Sequence, residues 1–224
     1  MSHFKNRQDA AEKLIPLLDK FRHDNSVVLL AVPRGGVPIA FTIAKQYHFP
    51  LELLMTKKIG YPGHKEYAIG AVNLEDEIID RRIRVSPAYI EGEVFRIREQ
   101  LKERYKQFIG HHVSPSFKNK VLIIIDDGIA TGNTMLLAIK MLRNKSPKRI
   151  VVAVPVAPHE AIERFEREAE EMICLYTPEP FISVGLHYAD FPQVKDQEVM
   201  QMLAALNSQL NSGNENSIKN SRYS

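Results

Sequence analysis

The sequence predicts a doubly wound α/β domain with a mainly parallel sheet, and three patterns lead to this prediction. Short runs at Ser26–Val32, Val121–Ile125 and Arg149–Val156 are almost continuously apolar, which is typical of strands buried on both faces of a parallel sheet. Segments with apolar residues at helical spacing lie between these runs. Polar or glycine-rich loops directly follow two of the strands, as ligand-binding loops do at the carboxyl edge of such a sheet.

The length of the chain bounds its domain organisation. A chain of 224 residues can bury one full core and does not require two domains. We predict a single domain over residues 1–210, with a helical insertion at 84–118 and an irregular aromatic segment at 177–195. Residues 211–224 are polar and lack a core pattern, which predicts a disordered tail.

Composition argues against several classes of protein. The chain has 30 basic and 27 acidic residues and no basic arm, so its charge does not predict binding to nucleic acid. Cys174 is the only cysteine, which excludes an intrachain disulfide and fits a reducing compartment. The first ten residues lack an apolar signal core, and no run approaches the length of a membrane span. We therefore expect a cytoplasmic protein without a membrane partner.

The first elements are a covering helix and a strand–loop–helix unit. Apolar residues recur at helical spacing over Phe4–Phe21, although Pro16 is expected to kink or divide this helix. The strand Ser26–Val32 then leads through a short loop into a helix over Val37–Tyr47. Leu51–Thr56 is the next predicted strand.

The middle of the chain predicts additions to the sheet. Residues 59–67 contain glycines, a proline and ionisable side chains, which suit a mobile lid. Ala68–Leu74 and Glu77–Ile83 are expected to form a hairpin. The helix Tyr89–Ile109 carries an apolar stripe that can pack on its own chain or on a second subunit, so a homodimer is one expectation. Two adjacent histidines in the polar connector at 110–119 lack a spaced third ligand, so no metal site is expected there.

The second half returns to alternating strands and helices. The predicted elements are the strand Val121–Ile125, a helix over Met135–Leu142, the strand Arg149–Val156, a helix over Pro158–Glu170, the strand Met172–Tyr176 and a final helix over Asp196–Leu210. Cys174 lies within a predicted core strand, where a small buried residue is a more common role than a nucleophile.

The strongest local signal follows the strand Val121–Ile125. Asp126 and Asp127 emerge at its carboxyl end, and a loop of small and hydroxyl- or amide-bearing residues leads into the next helix. This loop consists of Gly128, Ile129, Ala130, Thr131, Gly132, Asn133 and Thr134. Its donors surround a helix N-terminus, which binds anions, while carboxylates accept hydrogen bonds from sugar hydroxyls or hold a hydrated cation. The combination suits a ligand that carries a phosphate beside a diol.

Two common phosphate motifs do not match this loop. Asn133 follows Gly132 where a P-loop requires lysine, and the GxGxxG dinucleotide fingerprint is absent. The alternative to a ligand site is a strand followed by a capped helix, with two solvated acids in the turn.

A second anion loop is predicted after the strand Ser26–Val32. Arg34 can form a bidentate pair with phosphate, and Gly35 and Gly36 let the main chain approach a ligand closely. Lys57 and Lys58 end the following strand at the same predicted sheet edge. Taken alone, the loop could equally be a tight turn with an exposed arginine, and the lysines a solvated pair.

The motif at 121–134 resembles the phosphoribosyl pyrophosphate (PRPP) motif of type I phosphoribosyltransferases, and Pro33–Gly36 is similar to their pyrophosphate loop. The resemblance covers about residues 26–200. It implies transfer of ribose 5-phosphate from PRPP to a nitrogenous base, with inversion at the anomeric carbon and release of pyrophosphate. The segment 177–195 resembles the hood that covers the base in purine-type members, which favours a purine-like acceptor.

The resemblance also implies roles for individual residues. It assigns catalytic roles to Asp126, Asp127, Arg34 and Lys57. It implies that residues 128–134 bind the 5-phosphate and that pyrophosphate is bound by Arg34, Gly35, Gly36, Lys57 and Lys58. The implied base contacts are Phe181, Ile182, Val184, Tyr188 and Asp190. Mg²⁺ is the implied cofactor, held by Asp126 and Asp127 through water and ligand. The implied partners are small molecules, PRPP and a nucleobase or related acceptor.

Two other functions remain compatible with the residues. A regulator on the same scaffold would sense PRPP or a nucleotide without transferring the sugar. A hydrolase or phosphatase could use the acid pair, although we identify no nucleophile in line with it.

Overall fold

The computed structural model describes residues 2–110, 114–206 and 208. The helices are α1 (Arg7–Leu18), α2 (Gly36–Tyr47), α3 (Pro87–Ile109), α4 (Asn133–Arg143), α5 (His159–Glu166) and α6 (196–206). The strands are β1 (Val27–Ala31), β2 (Leu51–Leu53), β3 (Lys57–Tyr61), β4 (His64–Val72), β5 (Glu77–Ile79), β6 (Val121–Ile125), β7 (Arg149–Val156) and β8 (Glu171–Tyr176).

Five strands form a parallel sheet in the order β2-β1-β6-β7-β8. Every residue of β1 and of β6 is buried, as their continuous apolar sequence predicts. The last residues of these two strands, Ala31 and Ile125, are paired in register, so both strands end at the same level. The predicted fold is confirmed, and β6, which carries the acid pair, is the central strand.

Successive residues of the inner strands face opposite layers of helices. Leu29 and Ile123 belong to the core cluster that includes α1 and α2, whereas Leu30 and Ile124 belong to the cluster that includes α4 and α5. Helices on both faces of a parallel sheet define the doubly wound class.

Pro16 does not divide the first helix as the sequence predicted. The helix α1 includes Pro16, continues to Leu18 and is followed by a single 3₁₀ turn at Asp19–Phe21. The proline cannot donate to the carbonyl of Glu12, four residues earlier, but both residues are exposed. Water can therefore hydrate that carbonyl, and the missing hydrogen bond is tolerated.

Residues 59–67, predicted as a mobile lid, lie in a β-hairpin, and their mobility stays a prediction. Residues 57–61 and 64–72 form β3 and β4, which with β5 make a second, antiparallel sheet. Ile59 is fully buried, and its strand pairs from Lys57 opposite Val72 to Tyr61 opposite His64. The preceding strand β2 is shorter than predicted and ends at Leu53, and Lys57 and Lys58 belong to β3.

The inserted helix α3 uses its apolar stripe within the chain. Val94, Ile97, Leu101 and Phe108 are buried in the main core cluster, whereas Phe95 on the outer face is 70% exposed. The stripe is therefore not available to a second subunit, and a homodimer stays a prediction without this support.

Some expectations fall on residues that the structure does not describe. These are His111 and His112 in the connector, the end of the last predicted helix and the tail at 211–224. Within the described ranges, no helix is both long and apolar enough to cross a membrane.

Candidate active site

The two predicted anion loops pack directly against each other at the carboxyl ends of β1 and β6. A Cβ atom on Gly35 would lie 2.0 Å from Oδ2 of Asp127, and one on Gly36 would lie 2.4 Å from the carbonyl oxygen of Ile125. Any larger residue would push the loops apart, so this contact explains both glycines. The Pro33–Arg34 peptide within the loop is cis. The acid pair thus lies beside the arginine loop and not in bulk solvent.

Asp127 is held by a residue that the sequence analysis did not assign to the site. Arg7 donates from Nε to Oδ2 of Asp127 at 2.9 Å, and its Nη2 forms an ion pair with the same oxygen at 2.7 Å. The two side chains are only 11% and 15% exposed. The hydroxyl of Tyr188 donates to the backbone carbonyl of Asp127 at 2.6 Å. One sign was available in the sequence, because Arg7 occupies a position on the apolar face of the first predicted helix.

The guanidinium of Arg7 is itself fixed on three sides. It lies 3.8 Å from the ring centre of Phe191, and its Nη1 donates to the carbonyl of Pro192 at 2.8 Å. With its bonds to Asp127, these contacts restrict the arginine to one orientation. The N-terminal helix and the last part of the hood segment are therefore coupled to the acid pair.

Asp126 lies in a different environment from its neighbour. Its Oδ1 accepts the backbone N–H of Asp127 at 2.8 Å, and its side chain lines a cavity of about 210 Å³ with the loop at 128–134. Burial raises the pKa of the Asp126 carboxyl well above its ordinary value, and the negative charge of Asp127 is the second largest cause. A raised pKa is typical of functional sites, although ion-pair networks also produce one.

This raised pKa predicts how stability depends on pH. As the pH rises above about 3.8, the unfolded chain releases the Asp126 proton while the folded chain still holds it, so Asp126 makes the free energy of unfolding fall. Asparagine cannot ionise. We therefore expect Asp126→Asn to become more stable relative to the wild type as the pH rises above about 3.8. Thermal unfolding of both proteins at each pH checks this, and a difference that stays constant would contradict it.

The phosphate loop at 128–134 depends on one glycine conformation. Gly132 has a φ of 66°, in the left-handed region, and a Cβ there would lie 2.5 Å from the ring of Phe165. The helix α4 begins at the next residue, so its first-turn N–H groups, which lack intrahelical acceptors, lie at the cavity. The geometry suits a phosphate at this helix terminus.

Two contacts refine the roles within this loop. Ile129 is buried, and its backbone N–H donates to the carbonyl of Val156 at 2.9 Å. Contrary to the prediction, this N–H is therefore not free to bind a ligand. Arg164 of α5, which the sequence analysis missed, donates to the carbonyl of Thr131 at 3.0 Å and to Oδ1 of Asn133 at 2.7 Å. Arg164 therefore holds the loop in place from the outside.

The predicted lysine pair is split by strand geometry. Successive side chains of β3 point to opposite faces. Lys57 lines a second cavity, of about 630 Å³, and its Nζ donates to Oε1 of Gln100 at 3.3 Å. Lys58 instead pairs with Glu66 at 2.7 Å and lines neither of the two cavities. Lys57 thus lies at the cavity beside the arginine loop, and Lys58 does not.

The two cavities are neighbours. Both are lined by Val32, Leu54 and Thr56, so one extended ligand could occupy them together. Arg34 follows Pro33, which lines the larger cavity, and its Nη1 donates at 3.1 Å to Oδ1 of Asp196, which also lines it.

The hood residues divide into buried and exposed sets. Tyr188 is 5% exposed and its ring packs between Phe4 and Phe191, at centre distances of 5.2 and 4.6 Å, so stacking of a base on Tyr188 is not supported. Asp190 is exposed and lines neither cavity.

Three other hood residues lie in different surroundings. The ring of Phe181 stacks on that of His187, with 5.8 Å between the ring centres. Val184 packs against Gly128, and Ile182 is 73% exposed. Of these, Val184 touches the phosphate loop itself.

The acid pair fits a magnesium ion that arrives with a ligand. Mg²⁺ is usually bound by one or two carboxylates together with water and substrate phosphates. Asp126 and Asp127 offer oxygens of this kind, but Oδ2 of Asp127 is engaged by Arg7. No group of three or more potential ligands is found among the described residues, so the part of the chain in view holds no metal cage of its own.

Comparisons with known proteins agree with this geometry. The family model for the phosphoribosyl transferase domain matches residues 4–189. The crystal structure of TT1426 from Thermus thermophilus superposes with a TM-score of 0.80 at 33% identity, covering 91% of this chain and 98% of the other.

Two relatives are similar in sequence. "Putative phosphoribosyl transferase Rv0571c" from Mycobacterium tuberculosis is 34% identical over 209 residues, which are 91% of this chain and 47% of that protein, so the chain spans about half its length. The ribose-phosphate pyrophosphokinase of Thermococcus kodakarensis is 29% identical over 140 residues, 47% of this chain and 50% of that protein. The resemblance predicted from the two loop motifs is confirmed: the chain belongs to the phosphoribosyl transferase domain family.

Proposed function

We propose that this protein transfers ribose 5-phosphate from PRPP to a nitrogenous base, preferably a purine-like one, and releases pyrophosphate. Membership of the phosphoribosyl transferase family supports a transferase that uses PRPP. The single observation that carries the proposal is the packing of Gly35 against Asp127, which joins an arginine loop, an acid pair and a phosphate loop at one sheet edge.

Each loop binds a different part of PRPP in this proposal. The N-terminus of α4 and residues 130–134 bind the 5-phosphate. Asp126 and Asp127 accept hydrogen bonds from the ribose hydroxyls. Arg34, the Gly35–Gly36 backbone and Lys57 bind the pyrophosphate. PRPP spans the two neighbouring cavities and so lies with its anomeric carbon near the acid pair.

The reaction exchanges one bond at the anomeric carbon. The bond to the pyrophosphate oxygen breaks, and its pair of electrons leaves with pyrophosphate. A bond to a ring nitrogen of the base forms on the opposite face, and the proton of that nitrogen passes to the departing pyrophosphate or to water. Positive charge develops on the ribose, so the negative charge of the nearby Asp127 stabilises the transition state. Bound Mg²⁺ would neutralise charge on the departing pyrophosphate. The protein otherwise contributes by holding the sugar in position.

The hood is proposed to receive the base. Ile182 and Leu186 are 73% and 58% exposed and present apolar surface after the last strand of the sheet. Such surface suits the face of a planar ring. Val184 packs on the phosphate loop at Gly128 and would keep this part of the hood beside the sugar site.

An assay with labelled PRPP tests the proposal. The protein is incubated with PRPP and Mg²⁺ and with each of a panel of purine and pyrimidine bases, and reactions without base serve as controls. We expect pyrophosphate release that depends on the base and is greatest with a purine. Tight binding of PRPP without release under any condition would instead identify a PRPP-sensing regulator. Absence of both binding and release would reject the proposal.

A further inference from the structure

One wall of the larger cavity is formed by the inserted helix α3, for which the sequence predicted a packing role. Gln100, Arg104 and Gln107 of the inserted helix α3 line one side, and Pro33 and Lys57 line another. The insertion therefore contributes charged and polar side chains to the cavity beside the arginine loop, in addition to its packing on the core.

Two guanidinium groups converge at this cavity. Nη1 of Arg34 and Nη2 of Arg104 donate to the same oxygen, Oδ1 of Asp196, at 3.1 and 3.0 Å. The three residues come from the loop after β1, from α3 and from the start of α6. Two such donors aimed at one anionic oxygen form the arrangement that binds a phosphate oxygen.

Arg104 is also positioned by its own helix. Its guanidinium lies 5.3 Å from the ring centre of Phe108, one turn further along α3, and Phe108 is buried. The arginine therefore rests on a fixed aromatic surface with its donors turned to the cavity. Less conformational freedom is lost when such a side chain binds an anion.

The charges around the cavity leave room for an anion. Lys57 and Arg104 line it with the carboxylates Glu103 and Asp196, and Arg34 adds a third cation through its bond to Asp196. Asp196 is about half exposed, so a stronger anion can displace it without leaving a carboxylate buried and unpaired.

We propose that Arg104 is a pyrophosphate-binding residue, which completes the subsite of Arg34 and Lys57. Asp196 is then the positioning residue that holds both guanidinium groups while the subsite is empty and that the pyrophosphate displaces. This inference rests on the proposed function and adds a residue from the insertion to the same site.

Binding of inorganic pyrophosphate with Mg²⁺, measured by calorimetry, tests the inference. Arg104→Gln is compared with Lys102→Gln, a matched loss of one positive charge two residues earlier on the helix, where Lys102 pairs with Glu99 and lines neither cavity. We expect Arg104→Gln to weaken pyrophosphate binding roughly 10- to 100-fold and Lys102→Gln to leave it unchanged. Ribose 5-phosphate should bind both variants as it binds the wild type. Arg104→Lys keeps the positive charge but loses the paired N–H donors of the guanidinium. Its affinity for pyrophosphate should therefore lie between those of the wild type and Arg104→Gln.

Each other outcome identifies what has failed. If the wild type binds both ligands and Arg104→Gln binds pyrophosphate equally well, this inference is wrong and the proposed function stands. If Arg104→Gln weakens both ligands alike, the side chain acts on the structure as a whole, and its assignment to pyrophosphate is wrong. If the wild type binds neither ligand, the proposed function fails and the inference fails with it.

Discussion

Asp127→Asn should lower the rate of transfer by roughly a hundred- to a thousandfold, because a fixed negative charge beside the ribose is lost as positive charge develops there. The structure adds a second effect. Arg7 and Asp127 are 11% and 15% exposed, so the neutral asparagine leaves a nearly buried guanidinium without its counterion. Removal of one partner from such a pair typically costs about 3–5 kcal/mol of unfolding free energy. Steady-state kinetics and thermal unfolding measure the two effects.

A double variant separates catalysis from stability. In Arg7→Gln with Asp127→Asn, neither charge remains, so much of the lost stability should return while activity stays low. Lys13→Gln is the matched control on α1, because Lys13 is exposed and pairs with Asp9 away from the site. An Asp127→Asn protein with wild-type activity would show that this carboxylate has no part in the reaction.

Gly35→Ala is the second change for which we expect a large effect. Its Cβ would lie 2.0 Å from Oδ2 of Asp127 and 2.5 Å from the carboxyl carbon, so either the arginine loop or the acid pair must move. A displacement of about 1 Å in a positioned group costs roughly a hundredfold in rate. We expect a loss of that order in kcat/KM for PRPP, together with weaker PRPP binding.

Gly92→Ala is the control for this substitution. Gly92 lies inside α3, and a Cβ there would meet no atom within 4 Å. Alanine is a better helix former than glycine, so this variant should retain full activity and gain up to about 1 kcal/mol of stability. Wild-type PRPP binding by Gly35→Ala would mean that the two loops are not in the contact described.

The parallel sheet could be predicted because its signal is local. Each inner strand is an apolar run that is recognisable without its neighbours, as Val121–Ile125 illustrates. The antiparallel sheet was only half predicted. Its first strand, Lys57–Tyr61, has charged residues and a glycine and is defined by pairing with β4 rather than by its own composition. Strand formation that depends on a partner is not apparent from local sequence.

The candidate site divides in the same way. The two loops could be predicted because strand, glycines, acids and donors follow one another in the chain. Arg7 is 120 residues from Asp127 in sequence, and Arg104 is 92 residues from Asp196, so neither contact leaves a local pattern. Tyr188 was assigned to the base because an aromatic ring suits stacking, but the same property suits the core in which it lies.

Phosphorus NMR of PRPP with Mg²⁺ can report on both loops at once, because the ligand carries phosphorus at both ends. We expect addition of the protein to shift or broaden the 5-phosphate resonance and both pyrophosphate resonances at the same protein concentrations. A change confined to one end of the ligand, or no change at either end, would contradict a site in which two adjoining loops hold a single activated sugar.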